Sequence, residues 1–312
     1  MLPDTDALPE ILLDLAVPHE DINELVALRR TLTADAGAMR LLEECVQVLV
    51  SDIGEVEKGP QLSELVAGAP AALGRYFAVY VFLAALPHTR AYHRARGIPA
   101  DVSRRTLADL GRNMAVHRRR NGRGGLHVVN WLSYHFRGEL YQLGRLQFER
   151  ARLGERTASA LAAAGLDVAP GAACLNLHIC DFHGPLSPAA CDRSLALARE
   201  FFARHYPEER WQVAVCHSWL LDPQLKQYLS GDSNIVRFQE RFRVAWEDRE
   251  DGQDGEDRED LRHADAEPVQ FVFGNPDLPV ESLSRRTSVE RAVGDHLRVG
   301  GHWYIGHGWF PL

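Results

Sequence analysis

Hydrophobic residues in the first part of the chain recur at intervals of three and four positions, the spacing of a helix with one buried stripe. "DINELVALRRTL" and "AMRLLEECVQVLVSDI" show this spacing most clearly. "GAPAALGRYFAVYVFLAALPHTRAYHRARG" is longer and apolar on more than one side, which predicts a buried helix. "LHVVNWLSYHF" returns to helical spacing, and Gly138 is expected to end that helix. The pattern predicts a helical N-terminal domain over residues 1–137.

From about residue 139 the pattern changes to an alternation of apolar and polar residues, which is typical of half-buried strands. We expect strands in "ELYQLGRLQFERARL", "ACLNLHIC" and "WQVAVCHSWLLD", and later ones in "NIVRFQERFRVAWED", "PVQFVFG" and "GGHWYIGHGWF". Amphipathic helices are expected after the Ser187-Pro188 cap and in "SVERAVGDHLRVGG". This order predicts an α+β fold in which residues 138–312 form a mixed sheet flanked by helices, with the helical domain packed on it.

One segment of the second domain is acidic and nearly free of apolar residues. It is "EDREDGQDGEDREDLRHADAE", residues 247–267. Runs of charge with so little to bury are usually solvated, so we predict a mobile loop between two strands.

Composition and charge exclude several classes of protein. Apolar residues make up 46% of the chain and charged residues 25%, which is ordinary for a globular protein. The net charge of −8 argues against nucleic-acid binding, which needs Lys and Arg to neutralise phosphates. No apolar stretch is long enough to span a bilayer, and no signal-peptide pattern is evident, so no membrane association is expected. Five cysteines without a CxxC pair predict a reduced, cytoplasmic protein.

Candidate chemistry comes from polar residues on the predicted strands. Alternation places Asn176 and His178 on one face of "ACLNLHIC", and Cys216 and Ser218 on one face of "VAVCHSWLL". These side chains are short and suited to partial burial rather than to a solvated surface. An imidazole has an unperturbed pKa near 6.5, so His178 is a candidate general base. A satisfied structural histidine is the alternative interpretation.

Other groupings of polar residues have simpler explanations. One face of the first strand carries three of them: Arg145, Gln147 and Glu149. We expect this stripe to be the solvated side of a half-covered sheet. Cys216 and His178 would form a nucleophilic pair with an acyl-cysteine intermediate if their strands were neighbours. Buried cysteines are mostly inert packing residues, which is the alternative interpretation of Cys216. His302 and His307 lack a convincing third ligand, so no metal site is expected.

Several blocks resemble one known family. "LGRLQFE", "LNLHI", "SLALAREFFARHYPE", "CHSWLLDPQLKQYL", "SNIVRFQERF" and "RRTSVERAVGDHLRVGG" occur in this order in bacterial N-acyltransferases. That family joins a helical N-terminal domain to a C-terminal domain similar to the Gcn5-related (GNAT-like) acetyltransferases. The resemblance covers residues 140–312 well and extends more loosely over the front half. The "C-x-S-W-L-L" and "S-N-I" blocks are its most distinctive parts.

The resemblance implies acyl transfer from a phosphopantetheine thioester, either acyl-CoA or an acyl carrier protein, to a small-molecule amine. In the related superfamily two central strands splay apart and hold the thioester arm. Here those strands would be "CLNLHI" and "VAVCHSWLL", and the helix after the first would offer its N-terminus to the diphosphate. The chain departs from the family after His178, where it reads "HICDFHGPL" with Cys180 in place of proline. The loop also contains no Arg or Lys.

The resemblance also implies roles for single residues. His178 would take the proton of the attacking amine, and Ser218 would stabilise the oxyanion or protonate the leaving thiolate. Four residues are assigned to binding the donor or the acceptor: Asn176, Trp219, Ser233 and Asn234. Three more stand where the last helix begins and are candidates for phosphate binding: Arg286, Thr287 and Ser288. A capping box from Thr287 to Glu290 is the alternative explanation of that group.

Two other functions fit the same residues. A thioesterase-like hydrolase would use water as the acceptor and would release thiol without any amine. A non-catalytic module would bind an acyl group or coenzyme A (CoA) without turnover.

Overall fold

Helices make up most of the described part of the first compact unit, which runs from Met1 to Gln142. The computed structural model describes residues 2–56, 61–247 and 258–312. The helices within those described ranges are α1 Leu8–Asp14, α2 His19–Ala34, α3 Ala36–Val50, α4 Leu62–Val66, α5 Gly74–Ala95, α6 Ala100–Leu107, α7 Asp109–Asn121 and α8 Val129–Phe136. Every residue of α5 from Tyr76 to Leu86 is buried, as its apolar surface predicts. Gly138, with a φ of +70°, follows α8.

The second unit, Leu143–Leu312, contains helices and most of a mixed sheet. The strands are β1 Leu140–Leu143, β2 Leu146–Arg152, β3 Ala173–Ile179, β4 Val213–Ser218, β5 Arg243–Glu247 and β6 Gly306–Pro311. Their order in the sheet is β1–β2–β3–β4–β6–β5. The helices are α9 Glu155–Ala163, α10 Pro188–His205, α11 Asn234–Gln239, α12 Arg258–Phe273 and α13 Ser288–Arg298. The predicted α+β class is confirmed. No helix in the described part of the chain has the length and apolar character needed to cross a membrane.

The two central strands separate before they end. β3 and β4 run parallel, and their register contains only the pairs Leu175–Ala214 and Asn176–Val215. β3 nevertheless stays paired with β2 as far as Ile179, and β4 stays paired with β6 as far as Ser218. Each strand therefore keeps its outer partner while the two inner edges part, which leaves a gap that opens toward the ends of both strands.

Three strand predictions are wrong in part. "ELYQLGRLQFERARL" is two strands, β1 and β2, joined by a turn at Gly144 with a φ of +72°. "NIVRFQ" is the helix α11, because Ser233 caps it by accepting the Val236 N–H. "PVQFVFG" and the last part of the predicted acidic loop belong to α12, where Val272 and Phe273 pack against the core around α13. Residues 248–257 of that predicted loop lie outside the described residues.

Candidate active site

A carboxylate and an imidazole meet on one face of the sheet beside the gap. The antiparallel register sets Glu149 of β2 opposite Asn176 of β3, and Gln147 opposite His178. Asn176 Nδ2 donates to Glu149 Oε2 at 3.0 Å, and His178 Nε2 donates to the same oxygen at 2.7 Å. The side chains of His178 and Glu149 are 23% and 14% exposed, so both are partly buried but within reach of solvent. The prediction that Glu149 belongs to a solvated stripe is therefore wrong.

The hydrogen bond to Glu149 selects one tautomer of the neutral His178 imidazole. A carboxylate only accepts hydrogen bonds, so His178 Nε2 carries the hydrogen and Nδ1 is left as the basic nitrogen. The Glu149 carboxylate also stabilises the imidazolium that forms when Nδ1 takes up a proton. Such a pair is suited to general-base catalysis. The polar alternation of β2 marks Glu149 as one of the polar residues on a face of that strand. Only the pairing of β2 with β3 shows that Glu149 lies beside His178.

Cys216 and Ser218 share one face of β4, as predicted, but it is not the face that carries His178. Residues paired in a parallel register point to the same side of the sheet, so the pair Asn176–Val215 places His217, not Cys216 or Ser218, on the face of His178. Cys216 is 1% exposed, and burial, with a smaller contribution from Glu267, raises the pKa of its thiol to about 12. The Ser218 hydroxyl accepts the Leu220 N–H at 3.1 Å. Neither side chain therefore faces His178, although β3 and β4 are neighbours.

A second pair of imidazoles lies on the same face of the sheet as His178. His217 of β4 and His307 of β6 are directly opposite each other, and their Nδ1 atoms are 2.5 Å apart. A hydrogen bond between two imidazole nitrogens requires one protonated and one unprotonated Nδ1. Within the described ranges, no three His, Cys, Asp or Glu side chains are arranged to hold a metal ion.

The residues assigned to donor or acceptor binding have structural roles. Trp219 is 5% exposed and belongs to an apolar cluster that includes Trp303. Ser233 caps α11, and the exposed Asn234 is the first residue of that helix. Glu149 and Asn176, not these three residues, supply the hydrogen bonds described above for the polar face of β3.

The start of α13 is a capping box. Thr287 accepts the Glu290 N–H at 3.1 Å, while Glu290 Oε2 accepts the backbone N–H groups of Arg286 and Thr287. Arg286 is 83% exposed, and Ser288 is the first residue of the helix. The Glu290 carboxylate thus already occupies this N-terminus. The group therefore forms the capping box that the sequence offered as the alternative to phosphate binding.

Two arginines from distant parts of the chain lie beside the N-terminus of α10. Arg145, in the turn between β1 and β2, donates through Nε to the Gly184 carbonyl at 2.8 Å. Arg241, which follows α11, donates to the Pro188 carbonyl at 3.1 Å and to Asp192 at 2.6 Å. Arg145 Nη1 and Arg241 Nε are both buried without a hydrogen-bond partner. Burial lowers the pKa of Arg145. The two arginines bring to the loop before α10 the cationic groups that its own sequence lacks.

Comparisons with known proteins cover the whole chain. Family models match an N-acyltransferase N-terminal domain over residues 6–138 and a GNAT-like C-terminal domain over residues 140–310. A mutant of the acyltransferase orf11* in complex with octanoyl-CoA is 36% identical, with a TM-score of 0.82, over 100% of this chain and 90% of its own. An acyltransferase in complex with decanoyl-CoA and teicoplanin is 37% identical, with a TM-score of 0.81 and the same coverage. No curated protein sequence matches.

The structure and the family models divide the chain at nearly the same place. The compact units meet between residues 142 and 143, the family models meet between residues 138 and 140, and the sequence predicts a boundary between residues 137 and 138. The fold, with its helical first unit and mixed sheet, is that of the solved acyltransferases. The chain is therefore a member of the N-acyltransferase family that carries a GNAT-like C-terminal domain.

Proposed function

We propose that the protein transfers an acyl group from acyl-CoA to an amine by direct attack in the gap between β3 and β4. The observation that carries this proposal is the early end of the β3–β4 register, with the His178–Glu149 pair at the edge of the opening. The inner edges of both strands offer backbone groups with which the amides of a pantetheine arm can form hydrogen bonds. An extended arm of this kind lies between two strands as a third strand would.

The phosphates of CoA have a matching site at the start of α10. This helix has 18 residues, and its N-terminus, capped by Ser187, follows β3 directly in the chain. Backbone N–H groups at a helix N-terminus favour anions. Arg145 and Arg241 add positive charge there, and each has a buried nitrogen still available as a donor. Asp192 opposes them in part, because it already pairs with Arg241.

The chemistry follows from the state of His178. The amine nitrogen forms a bond to the thioester carbonyl carbon, His178 Nδ1 takes the amine proton, and the carbon–sulfur bond then breaks. The Glu149 carboxylate stabilises the imidazolium throughout. General-base catalysis contributes about 10²–10⁴-fold to such reactions. Holding both reactants in one gap contributes about a further 7–11 kcal/mol in well-oriented cases.

The comparisons favour one class of donor and acceptor over the others. Two of the similar acyltransferases bind octanoyl-CoA or decanoyl-CoA, and one binds teicoplanin with decanoyl-CoA. We propose a medium-chain acyl-CoA as the donor and an amino group of a teicoplanin-like glycopeptide as the acceptor for this chain. An acyl carrier protein is the second candidate donor, because it presents the same pantetheine thioester.

The test is a direct assay with both substrates. The protein is incubated with decanoyl-CoA and teicoplanin freed of its acyl chain, while released thiol and the mass of the glycopeptide are followed. We expect thiol release in step with a decanoyl mass gain, and none of that gain when the amines of the glycopeptide are blocked by acetylation. Thiol release without a mass gain would indicate a thioesterase. Binding of decanoyl-CoA without turnover would indicate a binding module.

A further inference from the structure

The two imidazoles of His217 and His307 are held as a unit. They are cross-strand partners on β4 and β6, and one Nδ1 donates to the other at 2.5 Å. Their rings are 4.6 Å apart between centroids and inclined at 56°. The pair holds a proton between two nitrogens, and His217 is exposed, so a proton given up there can be replaced from solvent.

His217 lies on the opposite wall of the gap from His178. The last paired residues of the two strands are Asn176 and Val215, and each histidine lies two residues further along its own strand. At about 3.3 Å per residue, both lie about 7 Å beyond the point where the strands part. They also share one face of the sheet. The opening is thus bordered on β3 by His178, which is hydrogen-bonded to the Glu149 carboxylate, and on β4 by His217, which is hydrogen-bonded to the His307 imidazole.

The reaction also needs a proton donor for the departing sulfur. An alkyl thiolate is a poorer leaving group than an aryl thiolate, so transfer from an alkyl thioester is faster when the sulfur is protonated as the carbon–sulfur bond breaks. Ser218 was the predicted donor, but it lies on the other face and its hydroxyl accepts the Leu220 N–H. His217 is the residue of β4 that lies on the face of His178.

We propose that His217 is the general acid of the acyl transfer and that His307 is the positioning residue that orients its ring. This inference rests on the proposed function. The amine proton goes to His178 as the carbon–nitrogen bond forms. His217 acts as an imidazolium with its Nδ1 hydrogen-bonded to His307; its Nε2 proton goes to sulfur as the carbon–sulfur bond breaks, which leaves His217 a neutral imidazole. His178 then loses its proton to solvent and His217 regains one from solvent, so the products are an amide and a neutral thiol.

The leaving group provides the decisive test. Rates of the wild type and of His217→Gln are compared with octanoyl-CoA and with the octanoyl thioester of 4-nitrothiophenol, using acyl-free teicoplanin as the acceptor. An aromatic thiolate departs without a proton, so only the CoA reaction needs the acid. We expect His217→Gln to slow the CoA reaction by at least about 100-fold and the aryl reaction by less than about threefold. His178→Gln is expected to slow both reactions alike.

A second readout uses the CoA thioester alone and so does not depend on the aryl ester being a good substrate. Imidazole added to His217→Gly is expected to restore part of the lost rate, and His307→Gln is expected to show an intermediate loss with the same dependence on the leaving group. His302→Gln removes an exposed imidazole that pairs with Asp265 and serves as the matched control. Equal losses on both thioesters, no loss with CoA, or no rescue by imidazole would overturn the inference. A wild type that transfers no acyl group would instead refute the proposed function.

Discussion

Replacement of Glu149 by Gln tests the carboxylate–imidazole pair most sharply. Glu149 Oε2 accepts from both His178 Nε2 and Asn176 Nδ2, and the side chain is only 14% exposed. Gln has nearly the same shape, and its side-chain oxygen can still accept both hydrogen bonds, but it has no charge to stabilise the imidazolium. Charge-assisted hydrogen bonds contribute about 1.5–3 kcal/mol. At about 1.4 kcal/mol per tenfold change in rate, Glu149→Gln should lower kcat by about 10- to 150-fold.

The assay measures release of CoA thiol from decanoyl-CoA at saturating acceptor, with the thermal midpoint of unfolding recorded for each variant. We expect kcat to fall while the KM for decanoyl-CoA stays within about twofold, because the carboxylate acts on the base and not on the donor. Asn176→Ala is the matched control, since it removes the other hydrogen bond to Glu149 and leaves His178 paired. It should cost less than about tenfold. A Glu149→Gln variant that unfolds normally and retains at least half of the wild-type kcat would refute this account of the site.

Four further outcomes follow from other contacts. His178→Gln should lower kcat by about 10²–10⁴-fold with an unchanged dissociation constant for CoA, measured by calorimetry, and a smaller loss would remove its role as base. Cys216→Ala should retain activity within about threefold, and iodoacetamide should leave Cys216 itself unmodified at neutral pH, measured by mass spectrometry of its peptide, since burial raises the thiol pKa to about 12. Arg241→Gln should raise the KM for octanoyl-CoA several-fold. The KM for the octanoyl thioester of N-acetylcysteamine, which lacks phosphates, should not change. If both KM values rise equally, the CoA diphosphate binds elsewhere. Burial lowers the pKa of His93 from 6.5 to about 4, so between these pH values the unfolded chain binds a proton that the folded chain does not. The free energy of unfolding should therefore fall by about 3 kcal/mol as the pH drops from 6.5 to 4. His93→Gln should make the free energy of unfolding, measured with urea, depend less on pH in that range.

Local patterns in the sequence determined most of the secondary structure. The three- and four-residue spacing of apolar positions marks the helices of the first unit, including the buried α5. Ser187 with Pro188 sets the start of α10, and the Thr287–Glu290 box sets the start of α13. These features depend on residues within one turn of each other, so they can be interpreted without the fold. The prediction failed at α12, where a short apolar run suits either a strand or a helix and packing against α13 decides.

The alternation of β3 likewise shows that Asn176 and His178 share a face, but it cannot show what they meet there. That depends on register, and a shift of one residue exchanges the two faces of a strand. The parallel register brings His217 to the face of His178 and turns Cys216 away, and the antiparallel register brings in Glu149. Arg145 reaches the loop before α10, and Arg241 reaches the first residue of α10, from 39 and 53 residues away in the chain.

The sequence by itself thus determined the helical first unit, the central strands and the polar face that carries His178. Only the tertiary structure decided which carboxylate, which second imidazole and which cations join that face. The physical reason is range: helix caps and side-chain alternation are set by neighbours in the chain, whereas the partners of a strand are chosen by packing and hydrogen bonding between segments far apart in sequence.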